Sequence, residues 1–190
     1  MKKIALDLDG VVFDSENLYR VYTEIYDVDH FKKNSIIDNA QRIYQKRYDW
    51  SEEEQKKFYE LYAHEILKNS NISTGADIVL TKLSSCYEFI VVTARQDSEI
   101  QYAKEFFDSI GLANIKIYNN QTSKIDVLIN ENCDYIIDDD ENTCRQAAQK
   151  GITGIYFKNA AANVTNDTDY FKVVNNWGEI YKYLMLSEEK

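Results

Sequence analysis

The sequence predicts an α/β fold, a parallel sheet with helices on both faces and a small all-helical module inserted after the first strand. Three observations lead there. Five short apolar runs, rich in β-branched and aromatic residues, are spread along the chain. Helical patterns separate the later runs. One long stretch, 15–71, has helical spacing and no clear strand.

The first strand is expected at Ile4 to Leu8, running into Asp7-Leu8-Asp9-Gly10. In the stretch that follows, Leu18, Tyr22, Ile25 and Tyr26 fall at helical spacing. So do Ile36, Ala40, Ile43, Tyr44 and Tyr48, and again Phe58, Leu61, Tyr62, Glu65 and Ile66. Ser51 suits an N-cap ahead of three glutamates, because its hydroxyl can accept from a free backbone N–H and acids favour that end of the helix dipole. The core pattern then resumes with a helix at Ala76 to Ser85 and a strand at Phe89 to Thr93. A helix at Ser98 to Ile110, stopped by Gly111, precedes a strand at Ile115 to Tyr118. A helix at Ser123 to Asn130 and a strand at Tyr135 to Ile137 come next. A helix at Glu141 to Lys150, closed by Gly151, leads into a strand at Gly154 to Phe157. Asn163 to Asp169 reads as a polar loop, and Trp177 to Leu186 as a last helix packed on the core. The expected division is a core of 1–14 and 73–190 with a helical cap of 15–72.

A chain of 190 residues that is 44% apolar can fill one core with a small inserted module. Its formal charge of -10 argues against a nucleic-acid polymer as partner, which needs a basic face. A small anion is compatible with that charge if a cation sits in the site. Cys86, Cys133 and Cys144 form no Cys-x-x-Cys pair, and with His30 and His64 they make no zinc-cage pattern. Reduced thiols in the cytoplasm are the expectation. No leader and no run of roughly 18 apolar residues is seen, so no membrane partner is expected.

Burying a carboxylate is costly unless it is paired or bound to a metal, which makes Asp7 and Asp9 at a strand end conspicuous. Other polar features fall at matching places. Thr93 ends Val91-Val92-Thr93-Ala94-Arg95, Lys124 follows Thr122-Ser123, and Asp138-Asp139-Asp140 follows Tyr135-Ile136-Ile137. In an open parallel sheet, ligands bind in the crevice beyond the strand C-termini. Carboxylates without histidine form a hard oxygen site suited to Mg²⁺. Asp7 could attack phosphorus, and Asp9 could protonate the leaving oxygen and later deprotonate water. Thr93 could donate to phosphoryl oxygens, and Lys124 could neutralise them and Asp7. Asp138 and Asp139 could hold the metal. Each feature also has a plainer reading. Thr93 could be a helix cap, Lys124 a solvated lysine, and Asp138 to Glu141 a capped helix start. The coincidence of all four at strand ends favours chemistry.

These residues resemble the haloacid dehalogenase superfamily of aspartate-nucleophile phosphohydrolases. The match runs from Lys2 to about Phe157, on D-x-D-G-V-V-F-D at Asp7 to Asp14, V-V-T-A-R, Lys124 and I-I-D-D-D. The resemblance implies a Rossmann-like core and a cap that closes over the substrate. It also implies Mg²⁺ held by Asp7, the backbone carbonyl of Asp9, and an acid of the Asp138/Asp139 pair. The T-A-R segment and the I-D-D acids look like the 5'(3')-deoxyribonucleotidase group and its bacterial relatives. The chain departs from them in its Asp-Asp-Asp run and in Gln96, where they carry proline. The short spacer between Lys124 and Asp138 leaves no room for a second cap.

The expected function is therefore Mg²⁺-dependent hydrolysis of a phosphomonoester through an aspartyl-phosphate, on (deoxy)nucleoside monophosphates, by a monomer or homodimer. Gly10, Phe13, Ala94 and Arg95 are the expected substrate contacts. Phe13, Tyr19, Tyr22, Tyr44 and Tyr48 could stack on a base, although aromatics at helical spacing more often form a core. Arg95 could contact phosphate or pair with an acid. The alternatives are a phosphatase of the same superfamily on a sugar phosphate, a glycolate-type phosphate or a phosphoprotein, and a non-catalytic Mg²⁺- or nucleotide-binding module. A receiver domain is disfavoured, because there the acidic pair precedes a mid-chain phosphorylated aspartate.

Overall fold

The computed structural model describes residues 1–39, 41, 43–158 and 167–187. Among these the core contains six strands: β1 Lys2–Leu6, β2 Tyr87–Val92, β3 Lys116–Tyr118, β4 Tyr135–Asp138, β5 Thr153–Phe157 and β6 Phe171–Val174. They form one sheet in the order β3-β2-β1-β4-β5-β6, and every pairing is parallel. β1 is central, with Leu6 opposite Val91 on one side and Ile137 on the other. A parallel sheet of this kind must be covered on both faces, and the side-chain alternation of its strands provides for that. Ile4, Leu6, Phe89, Val91, Ile137 and Ile155 point to one face, while Ala5, Ile90, Val92 and Ile136 point to the other.

The first face packs against helices α4 Ala76–Leu83, α5 Gln101–Ser109 and α8 Trp177–Ser187. The second packs against α6 Ile125–Asn130 and α7 Glu141–Gln149, through Leu128 and Ala147. α7 lies so close to β5 that a Cβ on Gly154 would come within 2.4 Å of the Cys144 carbonyl oxygen. Asp134 N–H donates to the Lys3 carbonyl at 2.9 Å, joining the entries of β4 and β1.

Two compact units are present. One comprises the described residues of 1–13, 72–158 and 167–187 and holds the sheet; the other is Asp14–Asn71. The second contains α1 Ser15–Phe31, the short α2 Tyr44–Arg47 and α3 Glu52–Asn69. Its interior is an aromatic cluster of Tyr26, Tyr48, Trp50 and Phe58 with Ile66, against which Tyr19, Tyr22, Tyr44 and Tyr62 pack. The Ser51 hydroxyl accepts from Glu54 N–H at 3.3 Å and starts α3.

Four expectations need correction. The first strand ends at Leu6, because the Leu8 carbonyl is taken by the turn, accepting from Val12 and Phe13 N–H at 2.9 and 2.8 Å. Among the described residues, the helix expected from Ile36 to Tyr48 is present only at Tyr44–Arg47. Ile36 instead bridges Tyr48 antiparallel, and the buried Asp27 carboxylate accepts from Ser35 N–H at 2.7 Å and Trp50 Nε1–H at 2.8 Å. That side-chain anchor holds Ser35 beside Trp50, and the Asp49 N–H donates to the Ser35 carbonyl at 2.9 Å; Ala40 lies outside the described residues. The helix expected from Ser98 begins as a 3-10 turn at Asp97–Glu99 and becomes α-helical at Gln101. Strand β6 was not expected. The part of the expected loop at 163–166 lies outside the described residues.

Candidate active site

The C-terminal ends of β1, β2 and β4 carry the polar groups that the sequence singles out. Asp7 is the first residue past β1, and its N–H donates to the Ile137 carbonyl at 2.9 Å, so the backbone still follows the sheet there. Its side chain is 10% exposed. Lys124, at the N-cap of α6, places Nζ 2.8 Å from Asp7 Oδ1 and 2.7 Å from Asp138 Oδ2. One ammonium thus bridges carboxylates from two neighbouring strands. Asp138 Oδ1 also accepts from the Asp140 N–H at 2.8 Å, which fixes the carboxylate plane.

Asp7, Asp138 and Asp139 are all buried, and each offers one carboxylate oxygen within 4.8 Å of the others. Gly10 makes room for this. Its φ is +78°, a backbone state that side chains disfavour, and a Cβ there would fall 2.0 Å from Asp139 Oδ2. Hard oxygen donors, no nitrogen or sulfur among them, and one lysine set against three acids fit a hard divalent cation.

Burial pushes the Asp7 carboxyl up to about 7, with the charge on Lys124 opposing the rise. Burial works against the ammonium of Lys124, yet Asp7 and Asp138 hold it well above the usual lysine range. Lysine charge and Asp7 charge therefore support each other.

Thr93 is buried just past β2, where its N–H donates to the Tyr118 carbonyl at 2.9 Å. Its Oγ1 accepts from Arg95 N–H at 3.2 Å, a turn within the loop and not a helix cap, since Gln96 caps the 3-10 turn that follows. Asp140 is the N-cap of α7, accepting from Asn142 and Thr143 N–H at 3.2 and 3.3 Å. The capping expected of the acidic run thus belongs to its third residue, which leaves Asp138 and Asp139 to the cluster.

Asp9 lies apart from the three-carboxylate group. Both its oxygens face Arg95, which donates from Nε at 2.9 Å and from Nη2 at 2.7 Å. Arg95 therefore pairs with an acid, one of its two expected roles. Its guanidinium also lies 4.9 Å from the centre of the Phe13 ring. Phe13 is buried, and its edge meets Phe106 with centroids 5.6 Å apart. Ala94 is exposed. Tyr19, Tyr22, Tyr44 and Tyr48 belong to the aromatic interior of the second unit. The Phe13 platform under Arg95 was missed in the sequence; the pairing of an aromatic in the first motif with an arginine in the second was the available signal.

No family model matches the sequence, and no curated protein matches it. Solved structures do. A haloacid dehalogenase-like family hydrolase from Streptococcus pneumoniae is similar with a TM-score of 0.67 at 16% identity, over 97% of this chain and 98% of that one. A HAD family hydrolase from Deinococcus radiodurans, solved with bound phosphate and sodium, gives 0.66 at 12% identity, over 99% and 96%. A protein described as a predicted phosphoglycolate phosphatase, from Haemophilus somnus, gives 0.62 at 16% identity, over 97% and 98%. At such identities the likeness is one of fold, and the chain has the Rossmann-like α/β fold of haloacid dehalogenase-like hydrolases.

Proposed function

We propose that this protein is a Mg²⁺-dependent phosphomonoesterase with Asp7 as nucleophile. The observation that carries the reading is the meeting of Asp7, Lys124, Asp138 and Asp139 at one sheet edge. The phosphate bound in the Deinococcus radiodurans neighbour supports it. Asp7, Asp138 and Asp139, with the Asp9 carbonyl, would hold Mg²⁺, which when bound offsets carboxylate and phosphoryl charge.

The chain's own groups then divide the work. An Asp7 oxygen attacks phosphorus and forms a P–O bond while the ester P–O bond breaks. Asp9 gives a proton to the leaving oxygen, and later takes one from the water that hydrolyses the aspartyl-phosphate. Lys124 holds Asp7 ionised and in place, and it stabilises charge that builds on the phosphoryl oxygens. Thr93 supplies a hydroxyl at the same rim. The substrate we favour is a nucleoside monophosphate. A small phosphometabolite of the phosphoglycolate type is the second candidate, supported by the name of the Haemophilus somnus neighbour.

The test is Mg²⁺-dependent phosphate release from a panel of nucleotides, sugar phosphates and phosphoglycolate, with Asp7→Asn as control. We expect deoxynucleoside monophosphates to be turned over best and Asp7→Asn to be inert with an unchanged circular dichroism spectrum. Full activity in Asp7→Asn would remove Asp7 as nucleophile. A preference for another ester would reassign the substrate.

A further inference from the structure

We infer that Trp177 is a positioning residue for the metal-holding acids: its indole N–H fixes the turn after β1 that carries Asp9 and Gly10. The inference rests on the phosphatase reading, and within it on the Mg²⁺ site.

The turn from Leu8 to Phe13 is closed by its own backbone. The Leu8 carbonyl accepts from Val11, Val12 and Phe13 N–H at 3.4, 2.9 and 2.8 Å, and the Phe13 carbonyl accepts from Gly10 N–H at 2.8 Å. Two further supports reach it from elsewhere in the core unit. Ser73 N–H donates to the Val12 carbonyl at 2.8 Å. Trp177 Nε1–H donates to the Val11 carbonyl at 3.1 Å, from 166 positions along the chain. Val11 and Trp177 both lie in the apolar core beneath the sheet. A carbonyl and an indole N–H buried there each need a polar partner, and here they meet each other.

The two sides of this contact differ in stiffness. Trp177 is the first residue of α8, and reciprocal bonds hold that helix start: Asn176 Oδ1 accepts from Glu179 N–H at 3.0 Å, and Glu179 Oε2 accepts from Asn175 N–H at 2.9 Å. The Phe157 ring packs beside the indole, with centroids 6.2 Å apart. The turn, by contrast, contains Gly10 at φ +78°, and the freedom of glycine has to be restrained from outside.

The surroundings of the turn give its placement a chemical consequence. Gly10 lies so close to Asp139 that a Cβ would fall 2.0 Å from Oδ2. A displaced turn therefore presses directly on one of the three clustered acids, Asp7, Asp138 and Asp139. The same turn carries the Asp9 carbonyl. Phenylalanine would fill the core at position 177 without fixing a direction; the indole N–H adds one, aimed at the backbone next to Gly10.

The test is Mn²⁺ affinity, measured by calorimetry on the full chain. Wild type is compared with Trp177→Phe and with a protein carrying a benzothienyl analogue of tryptophan at position 177, which keeps the fused ring and replaces N–H by sulfur. We expect both changes to weaken Mn²⁺ binding about 3–10-fold, the worth of one net hydrogen bond. Leu184→Ala supplies the purely structural comparison. Leu184 is buried on the same helix, so its truncation should lower the melting temperature and leave Mn²⁺ affinity unchanged. Unchanged affinity in the benzothienyl protein, or an equal loss in Leu184→Ala, would overturn the role of Trp177 and leave the metal site standing. A wild-type protein that binds no Mn²⁺ would overturn the Mg²⁺ reading first, and this inference with it. The isosteric analogue keeps the comparison decisive if Trp177→Phe does not fold.

Discussion

Gly10 shows how tightly single residues constrain this site. Its positive φ excludes most side chains on backbone grounds, and the Asp139 carboxylate occupies the space that a Cβ would take. Gly10→Ala should therefore do more than strain a turn. Pushing Asp139 aside disturbs a member of the three-acid cluster, and disturbing a group that orients metal ligands typically costs about 10–100-fold in metal affinity. We expect Mn²⁺ or Mg²⁺ binding, measured by calorimetry, to weaken by at least about 10-fold while far-UV circular dichroism is retained. Unchanged metal affinity would mean that Asp139 is not among the ligands. The glycine in D-x-D-G is plain in the sequence, and so are the acids and Lys124. The reason the glycine is needed is not, because Asp139 is far away along the chain.

At the scale of elements, the contact between α7 and β5 governs how closely a helix can cover the sheet. Gly154 sits in the strand with the Cys144 backbone carbonyl where its side chain would be. Gly154→Ala must therefore force helix and strand apart, and overpacking of that kind costs about 1–3 kcal/mol. A lowered melting temperature in thermal denaturation is the expected result, and an unshifted one would mean that the helix can slide at no cost. Strands β1, β2, β4 and β5 were legible because both faces are buried and their apolar runs are nearly continuous. β6 was hidden: it is only four residues, Phe171–Val174, with Lys172 in the middle. The misjudged segment 36–48 has apolar residues at helical spacing. The Asp27 carboxylate decides its course instead, by a contact across the helical unit that no local pattern reports.

The molecule as a whole separates its charges between two rims of the sheet. Far from Asp7, at the strand entries, Glu131 collects Lys3 Nζ at 2.9 Å, Lys116 Nζ at 3.4 Å and the Tyr118 hydroxyl. The hydrogen bond from Tyr118, then that from Lys3, lowers the Glu131 carboxyl to about 2. Because the folded value lies below the ordinary 4.5, this group's stabilisation is fully present above pH 4.5 and is lost as pH falls toward about 2. Glu131→Gln should melt lower than wild type at neutral pH, and the two melting temperatures should converge as pH falls through that window. A gap that stayed constant down to pH 2 would show that the ionised carboxylate does not contribute. Among the described residues, no helix is long and apolar enough to cross a membrane.

The linear sequence determined the alternation of strands and helices and the placing of each polar group at a strand end, because burial periodicity and the parallel topology are local and repetitive signals. It left Arg95 open between two partners and could not tell which of three consecutive aspartates would cap a helix. Those choices were made by the tertiary structure. A hydrogen bond selects its partner by distance and direction in space, and Asp9 and Arg95, 86 positions apart, become neighbours only when β1 and β2 lie side by side.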